Sequence, residues 1–188
     1  MVNMHGNQLA KSYSGKYHPD LVLAFQILIL FFAGMSAVVL HARFRSPIGL
    51  PGHHGLEFMA LTTLMAMRFK FRLRGVFFAL GAGSALFIPF LGFTDPFAEI
   101  AFMLPSLVLC LLMDAFHFAG RFKSVALIAF GGFAYMCIPL LRILIHATTG
   151  FPYKSLLINP FYVIAMYFAF GVAGTILGYY TYRGLKSL

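Results

Sequence analysis

Leu21-Val-Leu-Ala-Phe25-Gln-Ile-Leu-Ile-Leu30-Phe-Phe-Ala-Gly-Met35-Ser-Ala-Val-Val-Leu40 decides the fold class. The run carries no charge, and twenty residues rising 1.5 Å each cover the roughly 30 Å of hydrocarbon in a bilayer. It exceeds the apolar core of a cleaved signal peptide, about 7–15 residues, so it is expected to persist as a transmembrane helix. Asp20 borders it on one side and His41 and Arg43 on the other. Further along, apolar runs occupy 55–67, 75–91, 97–113, 124–146 and 160–182. Arg68-Phe-Lys70-Phe-Arg72-Leu-Arg74 closes the second run, which is short, and its long basic side chains can snorkel to an interface. Gly92-Phe-Thr-Asp95-Pro96 closes the third, and the stretch from Asp114 through Arg121 and Lys123 closes the fourth. The runs are apolar all round, whereas β-barrel strands would alternate over about ten residues.

Composition agrees. Of 188 residues 61% are hydrophobic and 10% charged, with a mean hydropathy of +0.86, against roughly 45–50% apolar and 25% charged in soluble domains. A water-soluble enzyme and a disordered chain are both excluded. The expected fold is an all-α integral membrane protein, a compact six-transmembrane-helix bundle forming a single membrane domain over 1–188. Residues 1–20 form a cytoplasmic tail, and six spans leave no length for an extramembrane domain. Cys110 and Cys137 fall within spans and are expected as free thiols.

The formal charge of +9 tests the topology. With the N-terminus inside, the inner segments hold Lys11, Lys16, Arg68, Lys70, Arg72, Arg74, Arg121, Lys123, Arg183 and Lys186. The outer ones hold Arg43, Arg45, Arg142 and Lys154. Only an even number of spans keeps this bias, so it predicts both termini in the cytoplasm and a location in the cell's inner (plasma) membrane. The basic excess is thus an orientation signal and not a nucleic-acid footprint.

The outer segments concentrate the polar chemistry. Between the first two runs, Arg43-Phe-Arg45-Ser-Pro47-Ile-Gly49-Leu-Pro51-Gly52-His53-His54-Gly55 has turns of defined shape and leads to Glu57. A helix starting near Gly52 puts His53 and His54 at i−4 and i−3 from Glu57, on one face. That set suits a metal or a polar ligand; alternatively the imidazoles bond loop carbonyls and Glu57 caps the helix or pairs with Arg43 or Arg45. The second outer segment carries Asp95 and Glu99, and the third carries Arg142, His146, Lys154 and Asn159. Arg142 lies one turn inside its run, where a charge needs a carboxylate, a ligand or a route to the interface. Both signs of charge, imidazoles and aromatics around one mouth fit a small polar or zwitterionic ligand.

Small residues at Ala33 and Ala37, Gly81 and Gly83, and Gly174 and Gly178 permit close helix approach, within the chain or to a partner. Asp114, His117 and Arg121, at i, i+3 and i+7, are expected as one polar stripe at the inner end of the fourth helix. No residues form a phosphate-binding Gly-x-x-x-x-Gly-Lys-Ser/Thr loop. Gly81-Ala-Gly83-Ser84 resembles the serine motif of intramembrane rhomboid proteases, but Ala85 replaces their glycine and no histidine lies in the last run. Membrane di-iron hydroxylases need about eight boxed histidines, and the seven here are scattered. No catalytic residue, metal ligand or cofactor is therefore assigned.

In outline the chain resembles the substrate-binding S components of energy-coupling factor vitamin and metal transporters. The likeness lies in six spans, inward termini, a long outer first loop and the Ala33-x-x-x-Ala37 stripe. It implies that Ala33 and Ala37 dock a membrane coupling subunit and that separate ATPases supply energy. It further implies that 41–55 covers a small-molecule substrate held among Arg43, His53, His54, Glu57, Asp95, Arg142, His146 and Asn159. Nickel and cobalt members of that family begin with histidine directly after the start methionine, whereas here Met4-His5 lies within a polar tail. Two other expectations stand beside this one: an accessory or structural subunit of a larger membrane complex, and a metal-dependent membrane enzyme using His53, His54 and Glu57.

Overall fold

The structure is a computed structural model, and it describes residues 19–43, 49–88, 91–116, 123–153, 156 and 159–187. Among these residues the chain is all-helical: α1 (Pro19–Arg43), α2 (Gly55–Arg68), α3 (Arg74–Ala85), α4 (Ala98–Ala115), α5 (Lys123–Thr149) and α6 (Pro160–Lys186). Each apolar run has become a helix. Four of them, α1, α4, α5 and α6, are long and apolar enough to cross a membrane, with mean hydropathies of 1.8–2.4. Such helices mark a membrane protein.

α2 and α3 differ. At 14 and 12 residues they are ~21 and ~18 Å long, short of a full crossing. The third run was expected to be helical to residue 91, but α3 stops at Ala85. The N–H groups of Leu86, Phe87 and Ile88 turn back onto the carbonyls of Gly83, Ser84 and Ala85. Pro89 in the sequence is the physical reason, since the residue before a proline is disfavoured in the α region.

The helices close a ring in the order α1, α3, α4, α5, α6, α2, with α2 packing on both α1 and α6. Phe58 of α2 reaches inward, its ring 6.1 Å from that of Phe78 on α3 and 5.9 Å from that of Phe102 on α4. With Leu30, Val38, Met59 and Leu109 these side chains make the core. The outward faces are apolar too: Phe25, Phe32, Leu111 and Phe161 are all exposed, as a bilayer solvent requires.

Small residues set the spacing. Gly34 of α1 lies on the Phe78 carbonyl and Gly81 of α3 on the Phe31 carbonyl, so a Cβ at either would overlap the opposite backbone. Gly174 and Gly178 of α6 receive the carbonyls of Gly55 and Ala60 on α2 in the same way. Ala37 is 2% exposed within the chain's own core, and Ala33 is half-buried against it.

At the end where α2 passes into α3, Arg74 is buried. Its Nη2 meets Asp114 Oδ1 of α4 at 2.5 Å and its Nη1 donates to the Phe71 carbonyl at 3.1 Å. Asp114 thus turns to α3; its expected stripe partners His117 and Arg121 lie outside the described residues, as do Met4, His5, Arg45 and Lys154.

Candidate functional site

At the opposite end of the ring, the chain entering α2 descends into the bundle. Gly49 and Gly52 adopt φ of 65° and 79°, a region closed to most side chains, and Gly55 N–H bonds Gly52 O at 2.8 Å. Gly52 rests on the Tyr167 ring, where a Cβ would come within 2.7 Å of Cδ2. Gly55 rests on the Tyr135 ring, leaving no room for a side chain. Tyr167 is ~10 Å inside the start of α6, and Tyr135 is ~21 Å from the end of α5. The stretch Gly52–Gly55 is therefore recessed between α5 and α6, and α2 starts part-way along them.

Beneath that segment lies a cavity of about 120 Å³ walled by His41, Gly52, His54, Ala101, Phe102, Tyr135, Ile138, Arg142 and Tyr167. α1 delivers His41 at its last turn, and α2 delivers His54 at its N-cap. The imidazoles lie close together at tilted angles, with centroids 4.4 Å apart for His41 and His54 and 3.8 Å for His53 and His54. Phe102 meets His41 edge-on at 4.7 Å. On the far wall Tyr135 and Tyr167 stack nearly parallel, 5.0 Å apart at 19°.

Arg142 links wall to rim. Its Nη1 donates to Tyr167 Oη at 3.1 Å, its Nη2 lies 3.8 Å from Asp95 Oδ2, and its guanidinium carbon stands 5.4 Å from the Tyr153 ring centre. Asp95 Oδ1 accepts from Phe97 N–H at 3.0 Å and from the Tyr153 hydroxyl at 3.3 Å. Burial, followed by the Asp95 carboxylate, pushes the Tyr153 phenol above its ordinary value, and Arg142 acts in the opposite direction.

The residues expected from the sequence divide clearly. His54 and Arg142 wall the cavity, and Asp95 backs Arg142. His53 sits beside it with Nδ1 2.6 Å from the Leu50 carbonyl, the loop-carbonyl alternative. Glu57 lies in the first turn of α2. Arg43 lies exposed at the end of α1, away from the cavity wall. His146 Nδ1 bonds the Phe151 carbonyl at 2.9 Å and shapes the turn after α5. Asn159 is the N-cap of α6, its Oδ1 accepting from Phe161 and Tyr162 N–H. Among the described residues no three His, Cys, Asp or Glu side chains are placed to hold a metal.

His41, Tyr135 and Tyr167 escaped the sequence reading. A hydroxyl inside a predicted span was the available signal for the tyrosines, since buried phenols seek a partner. His41 was hidden by its place at the end of an apolar run.

Among the described residues, Arg142 Nε in the cavity wall, His53 Nε2 beside His54 and Glu57 Oε2 in the first turn of α2 are buried with no hydrogen-bond partner. A buried polar group left unpaired costs about 1–3 kcal/mol, so each is a point where a ligand atom would be stabilising. Together they offer an acceptor, a cationic donor and an imidazole nitrogen.

No protein-family model, no curated protein and no solved structure matches this chain.

Proposed function

We propose that the chain is the substrate-capture subunit of an ATP-driven importer, binding a small polar or zwitterionic molecule beneath the Gly49–His54 segment. The observation that carries this reading is a cavity walled by His41, His54, Tyr135, Arg142 and Tyr167, with unpaired buried polar atoms of both acid and base character beside it. At about 120 Å³ the cavity is well below the roughly 300–1,000 Å³ of pockets for drug-sized ligands. A compact micronutrient, or one end of a larger one, matches that size. Arg142 would take the ligand's anionic group, Glu57 its cationic or N–H group, and the tyrosine pair a flat surface.

In this reading all six helices lie in the plasma membrane, α2 and α3 as short elements held inside the ring, with both termini cytoplasmic. The charge bias between the two ends supports that orientation. The cavity then opens to the outside, where an importer must collect. The sequence holds no phosphate-binding loop, so ATP hydrolysis would fall to separate subunits reached through a membrane coupling protein.

Native mass spectrometry of the detergent-purified chain tests the reading directly. A retained small molecule is expected, together with a rise in melting temperature when it is added back. A protein that carries none, and that no amino acid, vitamin or other small zwitterion stabilises, would sink the proposal.

A further inference from the structure

A second concave surface lies at the other end of the ring, outside the cavity just described. It is an open groove of about 1160 Å³ between the connection after α2, the first turn of α3 and the last turn of α4. Lys70 and Arg72 stand exposed at its edge, and Arg74 forms part of its floor. Among the described residues of the lining Asp114 is the sole carboxylate, beside the three cations Lys70, Arg72 and Arg74. Arg74 Nη1 and Nη2 are occupied by Phe71 and Asp114, but its buried Nε has no partner.

The connection is built for an interface. In Phe69-Lys70-Phe71-Arg72 the aromatic rings are half-buried and the basic side chains exposed. The remaining walls are apolar, among them Leu73, Val76 and Leu111, the last 67% exposed. Leu80, one turn beyond Val76 on α3, is exposed as well. The groove thus combines exposed basic side chains with exposed apolar ones on the outward faces of α3 and α4.

We propose that this groove binds an anionic phospholipid, its phosphate held by Lys70 and Arg72 and its acyl chains lying along Val76 and Leu111. Only a ligand with both an anion and long apolar chains complements both parts of the surface. Free phosphate would leave the apolar walls uncovered, and a zwitterionic lipid, though it carries the same phosphate, would set its own ammonium among the cations.

The sequence contains no tryptophan, so Leu111→Trp introduces a single tryptophan on the groove wall, excited selectively over the tyrosines. The full chain carrying it is reconstituted in phosphatidylcholine vesicles containing a minor fraction of either brominated phosphatidylglycerol or brominated phosphatidylcholine. Half-maximal quenching is expected at a roughly tenfold lower fraction of the glycerol lipid. Lys70→Gln with Arg72→Gln should erase the difference, whereas Lys186→Gln, at the end of α6, should leave it. Equal quenching by the two lipids overturns the proposal, as does a preference that survives the double substitution. Loss of the preference on adding inorganic phosphate also overturns it, because that marks a site for the free anion. Without the fluorophore, native mass spectrometry of the unsubstituted chain should show a phosphatidylglycerol adduct that the double variant lacks; equal adducts on both would overturn the proposal independently.

Discussion

Each end of the ring draws an arginine off the surface, and the two are held in opposite ways. Arg74 has a side chain 6% exposed and a direct ion pair at 2.5 Å. Arg142 is 23% exposed, stands 3.8 Å from its carboxylate and touches two tyrosines. The first arrangement is a clasp: it ties α3 to α4 and, through Phe71, fixes the turn after α2. The second is looser, beside a cavity, with Nε unpaired. A guanidinium so placed can exchange a weak partner for a ligand at small cost, whereas Arg74 cannot leave Asp114 without exposing a buried charge. One end of the molecule therefore holds its arginine tightly, and the other holds it loosely, as the proposed ligand exchange requires.

The largest expected effect follows from breaking the clasp. Asp114→Ala should destabilise the chain by about 3 kcal/mol, toward the low end for a broken buried pair because Asp114 is 34% exposed. Replacing both partners, Arg74→Met with Asp114→Leu, should recover most of that loss. Thermal unfolding in detergent measures both, and a double variant no better than the single one would show that Arg74 has another role.

Gly52→Ala attacks the other end and should cost about 2 kcal/mol. The new methyl would be forced into both a left-handed backbone and the Tyr167 ring. If Gly49–His54 covers the ligand, the same change should lower affinity more than tenfold, while Asp114→Ala leaves affinity unaltered in protein that remains folded. Isothermal titration with the copurified ligand separates the two, and equal losses would dissolve the contrast between the ends.

The sequence made the helices legible because each apolar run is bounded by charge, proline or glycine, and the observed limits of α1, α2, α4, α5 and α6 lie within a few residues of those expected. It disclosed less about depth. That α2 begins inside the bundle depends on Gly52 and Gly55 meeting tyrosines from helices more than 70 residues away, and no local pattern encodes such a contact. The candidate site was half legible for the same reason. Charged residues stand out against apolar runs, so His54, Asp95 and Arg142 could be found. His41, Tyr135 and Tyr167 look like ordinary members of a span until the ring closes around them. Asn159 and His146, expected as ligand contacts, bond backbone groups here: Asn159 caps the start of α6, and His146 meets the Phe151 carbonyl in the turn after α5.

Asn159→Ala sharpens that distinction. Loss of an N-cap of this kind costs about 1 kcal/mol, and ligand affinity should not move. A fall in affinity with unchanged melting would return Asn159 to the site. Arg142→Met should cost less in stability, roughly 0.5 kcal/mol for a long, partly exposed pair, yet abolish binding. Large destabilisation by this change, with binding retained, would make Arg142 a second clasp and end the asymmetry.

The smallest effect tests how Asp95 is shared. Its carboxylate accepts the Tyr153 hydroxyl while lying near Arg142, and the raised phenol pKa means that the folded state favours neutral Tyr153. The sign follows: this contribution is fully present below the ordinary phenol value of 10.0 and is lost as pH rises through the higher folded value. Unfolding followed above pH 10 should therefore show a steeper fall for the native chain than for Tyr153→Phe, with the two curves parallel below it. When Tyr153 ionises beside Asp95, two anions compete for Arg142, which draws the guanidinium toward the rim and away from the cavity. Ligand affinity in the native chain should weaken over the same alkaline range, and in Tyr153→Phe it should not. A shared alkaline loss in both proteins would place the titrating group elsewhere and leave Arg142 governed by Asp95 alone.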